Sequence, residues 1–240
     1  MKKRIWELDL LRGVFLVGMI AVHLIDDLVY MFGLMDLSNP ALSAVYTLCT
    51  NWGGVLFILL SGICASFSTR TVRRGLVVLG GGLIVSAVSM GMYLLDLSDK
   101  SIIIYFGILH CLGVCMLLWP LFRSLPGWAL VILGVVLAGT GLYFDAAVRL
   151  EFDYLAPLGL FSRSFATADY FPLLPNLGYF LVGGALGKWL YPQRKTLFPK
   201  VNDANPLIRF FTFLGRNSLL IYLLHQPLLA AIVWLWDALA

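Results

Sequence analysis

The chain has 240 residues, 60% of them hydrophobic and 12% charged, with a formal net charge of +4. Soluble domains carry about 25% charged residues, so the composition excludes an ordinary soluble enzyme, and the lack of any basic-aromatic patch excludes a nucleic-acid-binding module. What remains is an all-α, polytopic membrane bundle forming one domain over residues 1–240, with no room for a sizeable soluble one.

Seven apolar runs approach the ~20 residues needed to cross a bilayer: 10–32, 45–67, 76–95, 102–121, 127–144, 173–190 and 211–235. The segment before the first, MKKRIWELDLLRG, begins like a signal peptide. Glu7, Asp9 and Arg12 interrupt it, however, and no A-x-A-like site follows, so it reads as a retained first helix.

The first run carries His23, Asp26 and Asp27. Each ionisable group at membrane depth costs roughly 2.5–3.5 kcal/mol on insertion scales, which demands a protein interior or a wet cavity. At about 100° per residue, Asp9, Arg12, His23 and Asp27 fall within about 60–80° of one another. Asp27 lies one turn beyond His23 and is placed to pair with it; Asp26 sits on a flanking face. The stripe is either a polar network pinning helices together or the wall of a functional chamber.

The third run contains the glycines Gly80–Gly82, and the sixth carries Gly183 and Gly187 at the small-xxx-small spacing that lets membrane helices pack closely. The fourth contains His110. Between the fifth and sixth lies DAAVRLEFDYLAPLGLFSRSFATADYFP, too long for a hairpin. It has room for a short interfacial helix, and is either functional or a cap on the bundle. On the seventh run Ser218, Tyr222 and His225 share one face, flanked by Asn217 and Gln226. All three histidines of the chain are thus intramembrane and can converge.

With the N-terminus in the cytoplasm, all of the 17 lysines and arginines except Lys100, Arg149 and Arg163 fall on the inner side, including Lys2, Lys3 and Arg4. That asymmetry follows the positive-inside rule and supports the helix count and the direction together. Arg12, Arg70, Arg73, Arg74 and Arg216 gather at cytoplasmic helix ends. The positive-inside rule explains this, and so does a seat for a phosphorylated donor, since arginines grip phosphates bidentately. The histidine spacing supports no metal site. The four cysteines, Cys49, Cys64, Cys111 and Cys115, read as small buried side chains.

Several stretches acquire meaning as a set: RIWELDLLRG with His23 eleven residues after Arg12, FILLSG (57–62), FGILHCLG (106–113), YFPLLPNLGYFLVG (170–183) and LGRNSLLIYLLHQP (214–227). In this order the chain resembles, over nearly its whole length, the bacterial branch of the heparan-alpha-glucosaminide N-acetyltransferase-like catalytic domain family, a group of transmembrane acyltransferases. The resemblance implies that acetyl-CoA binds from the cytoplasm as acyl donor co-substrate. The acetyl group would pass to an amine or hydroxyl of a small-molecule or glycan acceptor, a sugar by preference, on the far side of a bacterial cytoplasmic (inner) membrane.

Eukaryotic relatives have asparagine where His23 stands and a catalytic histidine in the following loop, yet residues 33–42 here contain none. The base is therefore open among His23, His110 and His225. The first assignment makes His23 the general base and Asp27 its orienting carboxylate, with His110 and His225 lining the chamber. Arg12, Arg70, Arg74, Arg216 and Asn217 are assigned to the CoA donor, and Asn217, Ser218 and Tyr222 are also candidates for chamber hydrogen bonds. Membrane lipids are expected partners and a homo-oligomer stays open. A proton-coupled transporter and a non-catalytic membrane scaffold are the rival readings.

Overall fold

The computed structural model describes residues 5–239; Lys2, Lys3 and Arg4, counted above on the inner side, lie outside them. The described residues are helical, with isolated bridges and no strand. The eight α-helices are α1 (Trp6–Asp26), α2 (Pro40–Ser66), α3 (Thr71–Leu94), α4 (Ile108–Phe122), α5 (Gly127–Ala147), α6 (Leu173–Leu190), α7 (Pro206–Arg216) and α8 (Ser218–Leu239). A π turn, Asp27–Met31, continues α1. Five described helices are long and apolar enough to cross a membrane: α1 with its π turn, α2, α3, α5 and α8. Apolar runs in lipid become helices because only the helix satisfies every backbone group within the segment.

Two of the expected runs change their ends. The fourth starts at Ile108 rather than at 102, because residues ahead of it are held in extended pairing with the loop that follows α5. The Phe171 amide donates to the Phe106 carbonyl at 3.0 Å, and the Thr167 hydroxyl to that of Ile103 at 2.7 Å. The seventh run is two helices. Asn205 accepts the Leu207 amide at 2.9 Å and Pro206 opens α7, which ends at Arg216. Asn217 breaks the chain there, donating its side-chain amide back to the Phe213 carbonyl at 2.9 Å.

The chain forms two compact units. The first joins Met1–Phe57 to Lys195–Ala240 and so brings the two ends of the sequence together. In it α1 and α7 touch backbone to backbone: a Cβ on Gly13 would collide with the Phe211 carbonyl, and one on Gly215 with that of Asp9. Glu7, nearly buried, secures the segment ahead of α7 by accepting the Thr196 hydroxyl at 2.9 Å and the Leu197 amide at 2.8 Å.

The second unit spans Ile58–Arg194. Here Gly183 faces the Leu59 carbonyl and Gly187 faces Ser66, the close α2–α6 approach expected from their spacing. Residues 148–172 form a loop bonded both within itself and to the segment ahead of α4, with a single 3-10 turn, Ala156–Leu158, in place of the anticipated interfacial helix. The Tyr170 hydroxyl donates to the Ala156 carbonyl at 2.7 Å, and burial pushes its pKa up from the usual value. Cys64, Cys111 and Cys115 are buried and Cys49 is half-buried; all four are free thiols.

Candidate functional site

The first unit gathers most of the chemistry that the sequence spread over its two ends. His23 rides the last turns of α1, and its Nδ1 lies 3.8 Å from Asp26 Oδ2, an ion-pair distance rather than a hydrogen bond. The other oxygen of Asp26 accepts the Tyr46 hydroxyl, sent from α2, at 2.6 Å. His225 on α8 stacks obliquely on His23, ring centroids 5.0 Å apart, and lies 5.2 Å from the Tyr222 ring. Two of the three histidines therefore meet, as the sequence allowed.

The carboxylate at ion-pair distance from His23 is Asp26. Asp27 lies one regular α turn beyond His23, its amide donating to the His23 carbonyl, and the helix loosens only after it, where the Phe32 amide reaches back five residues to the Asp27 carbonyl at 3.0 Å. Asp27, buried, is instead claimed by α8: Gln226 Nε2 donates to its Oδ1 at 2.9 Å. Single π turns of this kind frequently mark functional sites.

Three buried side-chain atoms here have no hydrogen-bond partner among the described residues: Asp27 Oδ2, Gln226 Oε1 and His225 Nε2. All three are acceptors. His225 Nδ1 lies 2.5 Å from the Tyr222 carbonyl, which can only accept, so Nδ1 carries the proton and Nε2 of the neutral ring is a lone pair. Gln226 has turned its amide nitrogen to Asp27, leaving its oxygen unmatched. An unpaired buried polar atom costs about 1–3 kcal/mol. The site thus offers lone pairs, and a ligand that brings N–H or O–H donors recovers that cost.

At the other end of α1, Asp9 is buried and anchors two arginines: Arg216 Nε at 3.3 Å and Arg12 Nη1 at 3.9 Å. Gly215 makes this possible by letting α7 lie against the Asp9 backbone. Asn217, next in the chain, is spent on the Phe213 carbonyl. Fourteen residues at 1.5 Å each put this cluster about 21 Å along the helix from His23. Arg70 and Arg74 belong to the second unit, exposed at the start of α3.

His110 also belongs to the second unit, and both its ring nitrogens are occupied. Nδ1 accepts the Gly107 amide at 3.2 Å, capping α4, and Nε2 lies 3.2 Å from the Ser86 hydroxyl, which donates onward to the Ile104 carbonyl at 2.5 Å. The tautomer follows: Nε2 donates to Ser86. Asp169 completes the cap by accepting the Ile108 amide at 3.0 Å. In this network the His110 ring caps the α4 N-terminus.

Sequence reasoning missed Tyr46. Its only signal was the polar stripe Ser43, Tyr46, Thr47 and Thr50 in an otherwise apolar helix. Among the described residues no group of three or more His, Cys, Asp or Glu is arranged to hold a metal ion. The family model described as heparan-alpha-glucosaminide N-acetyltransferase, catalytic, matches residues 4–227. No curated protein and no solved structure matches the chain.

Proposed function

The chain belongs to the heparan-alpha-glucosaminide N-acetyltransferase catalytic family, and from that premise we propose that it moves an acetyl group from acetyl-CoA to an amine or hydroxyl of a small-molecule or glycan acceptor across a membrane. The observation that carries this reading is the meeting of His23 and His225 beside buried acceptors that lack donors. An amine or hydroxyl supplies those donors, and the bond it gives up is the one a base must break.

In this mechanism the acceptor binds through Asp27 Oδ2, Gln226 Oε1 and the lone pair of His225 Nε2. Its nitrogen or oxygen attacks the thioester carbonyl carbon while His23 Nε2, the ring nitrogen turned away from Asp26, removes its proton. The C–S bond breaks, and the CoA thiolate leaves and recovers a proton. Proton removal by His23 is a general-base contribution worth about 10²–10⁴-fold in rate, and Asp26 stabilises the imidazolium that forms. A site poor in water limits hydrolysis of the thioester.

The donor's phosphates are assigned to Arg12 and Arg216, which Asp9 holds ready. An extended thioester arm then covers the distance of about 21 Å along α1 to His23. We place the N-terminus and these arginines on the cytoplasmic side of a bacterial inner membrane. α4 and α6 complete a set of seven crossings, and the distribution of lysine and arginine supports that direction.

The test uses purified full-length protein, radiolabelled acetyl-CoA and a panel of envelope sugars bearing free amines or hydroxyls. Labelled product that disappears in His23→Ala supports the reading. No product and no CoA binding by folded protein overturns it, and uptake driven by a pH gradient in liposomes would then favour the transporter.

A further inference from the structure

We propose that Tyr46 of α2 is a positioning residue, whose hydroxyl holds the Asp26 carboxylate in register with His23; as a role in acyl transfer this rests on the reading above. Asp26 is the last residue of α1 before the helix loosens into its π turn. Its side chain is about a third exposed, so neither packing nor a regular next turn holds it. The terminal torsion of an aspartate is broad, and an untethered carboxylate samples many orientations.

The structure supplies one tether. The Tyr46 hydroxyl donates to Asp26 Oδ1 at 2.6 Å, within the range of short bonds to an ionised acceptor, while Oδ2 of the same group faces His23 Nδ1 at 3.8 Å. Because the two oxygens are rigidly joined, fixing one aims the other. The sequence of contacts from Tyr46 through Asp26 to His23 thus joins α2 to the end of α1. Tyr46 touches neither histidine through this bond, so its effect on chemistry passes through Asp26.

Purified full-length protein in lipid nanodiscs gives two readouts: the rate at which diethyl pyrocarbonate modifies His23, followed by mass spectrometry, and the steady-state kinetics of acetyl transfer. The variants are Tyr46→Phe, Asp26→Asn and the double substitution, with Thr47→Val as the neighbouring control. We expect Tyr46→Phe to change the His23 modification rate by at least about threefold, in the same direction as Asp26→Asn, and the double variant to show no more than Asp26→Asn alone. We expect kcat to fall about tenfold with KM for both substrates nearly unchanged, the mark of a lost transition-state interaction.

Tyr46→Gln keeps a donor. It regains part of the lost kcat, and Tyr46→Leu, which also lacks the hydroxyl, replaces Tyr46→Phe should that variant not fold. A His23 rate that Asp26→Asn alters and the hydroxyl-free Tyr46 variant leaves at the wild-type value overturns the proposal. If wild-type protein transfers no acetyl group, the acyltransferase reading falls, while the His23 rate still decides whether Tyr46 positions Asp26.

Discussion

Polar groups such as His23 and Asp26 are costly to hold in an apolar helix, and the structure brings the two together with a second imidazole. The two aspartates separate by kinetics. Asp26→Asn is expected to lower kcat, since the imidazolium loses its counter-charge. Asp27→Asn is expected to act on the KM of the acceptor, because Asp27 is bonded to Gln226 through one oxygen and leaves the other for the acceptor; steady-state kinetics of the two variants check this. His110 predicts differently. Its ring caps α4 and bonds Ser86, so His110→Ala should cost about 1–2 kcal/mol in thermal unfolding and leave kcat/KM of the folded protein largely intact. The sequence showed three similar intramembrane histidines. Which of them retained a lone pair depended on bonds to Gly107, Ser86 and Tyr222, and hydropathy carries no trace of those.

Glycine marks two different situations along the helices. In α7, Gly215 lies against the Asp9 carbonyl, and that contact sets Arg216 beside Asp9. Gly215→Ala should therefore destabilise the protein by about 1–3 kcal/mol in thermal unfolding and weaken acetyl-CoA binding as Arg216 is displaced. In α3, Gly80 has nothing within 4 Å of its would-be Cβ. Gly80→Ala should be neutral or stabilising by up to about 1 kcal/mol, as expected when alanine replaces glycine inside a helix. The small-xxx-small pair Gly183 and Gly187 was readable as a packing face because its spacing is local. Gly215 has no such pattern, and its partner lies some two hundred positions away in the sequence. The split of the last run into α7 and α8 was hidden for a related reason: Asn217 is one polar residue in a long apolar stretch, and only its bond to the Phe213 carbonyl reveals the break.

At the level of the whole chain, direction across the membrane has its own test. Single cysteines at the exposed positions Glu151 and Lys200 should label oppositely with an impermeant maleimide. Glu151→Cys should react in intact cells and Lys200→Cys only after permeabilisation; the reverse pattern would invert the orientation. The sequence by itself determined the helical class, most of the spans, the family resemblance and the set of polar residues that have to be sheltered. Lipid forces these outcomes on any chain so apolar, through backbone satisfaction and the cost of buried charge, both of which can be read locally. Only the tertiary structure decided how the polar residues are matched. Asp26 rather than Asp27 is at ion-pair distance from His23, because Gln226 of α8 engages the Asp27 carboxylate. His225 joins His23 because the two ends of the chain fold into one unit. Tyr46 enters because α2 returns beside the end of α1. Each depends on a contact between separate elements that no window of sequence contains.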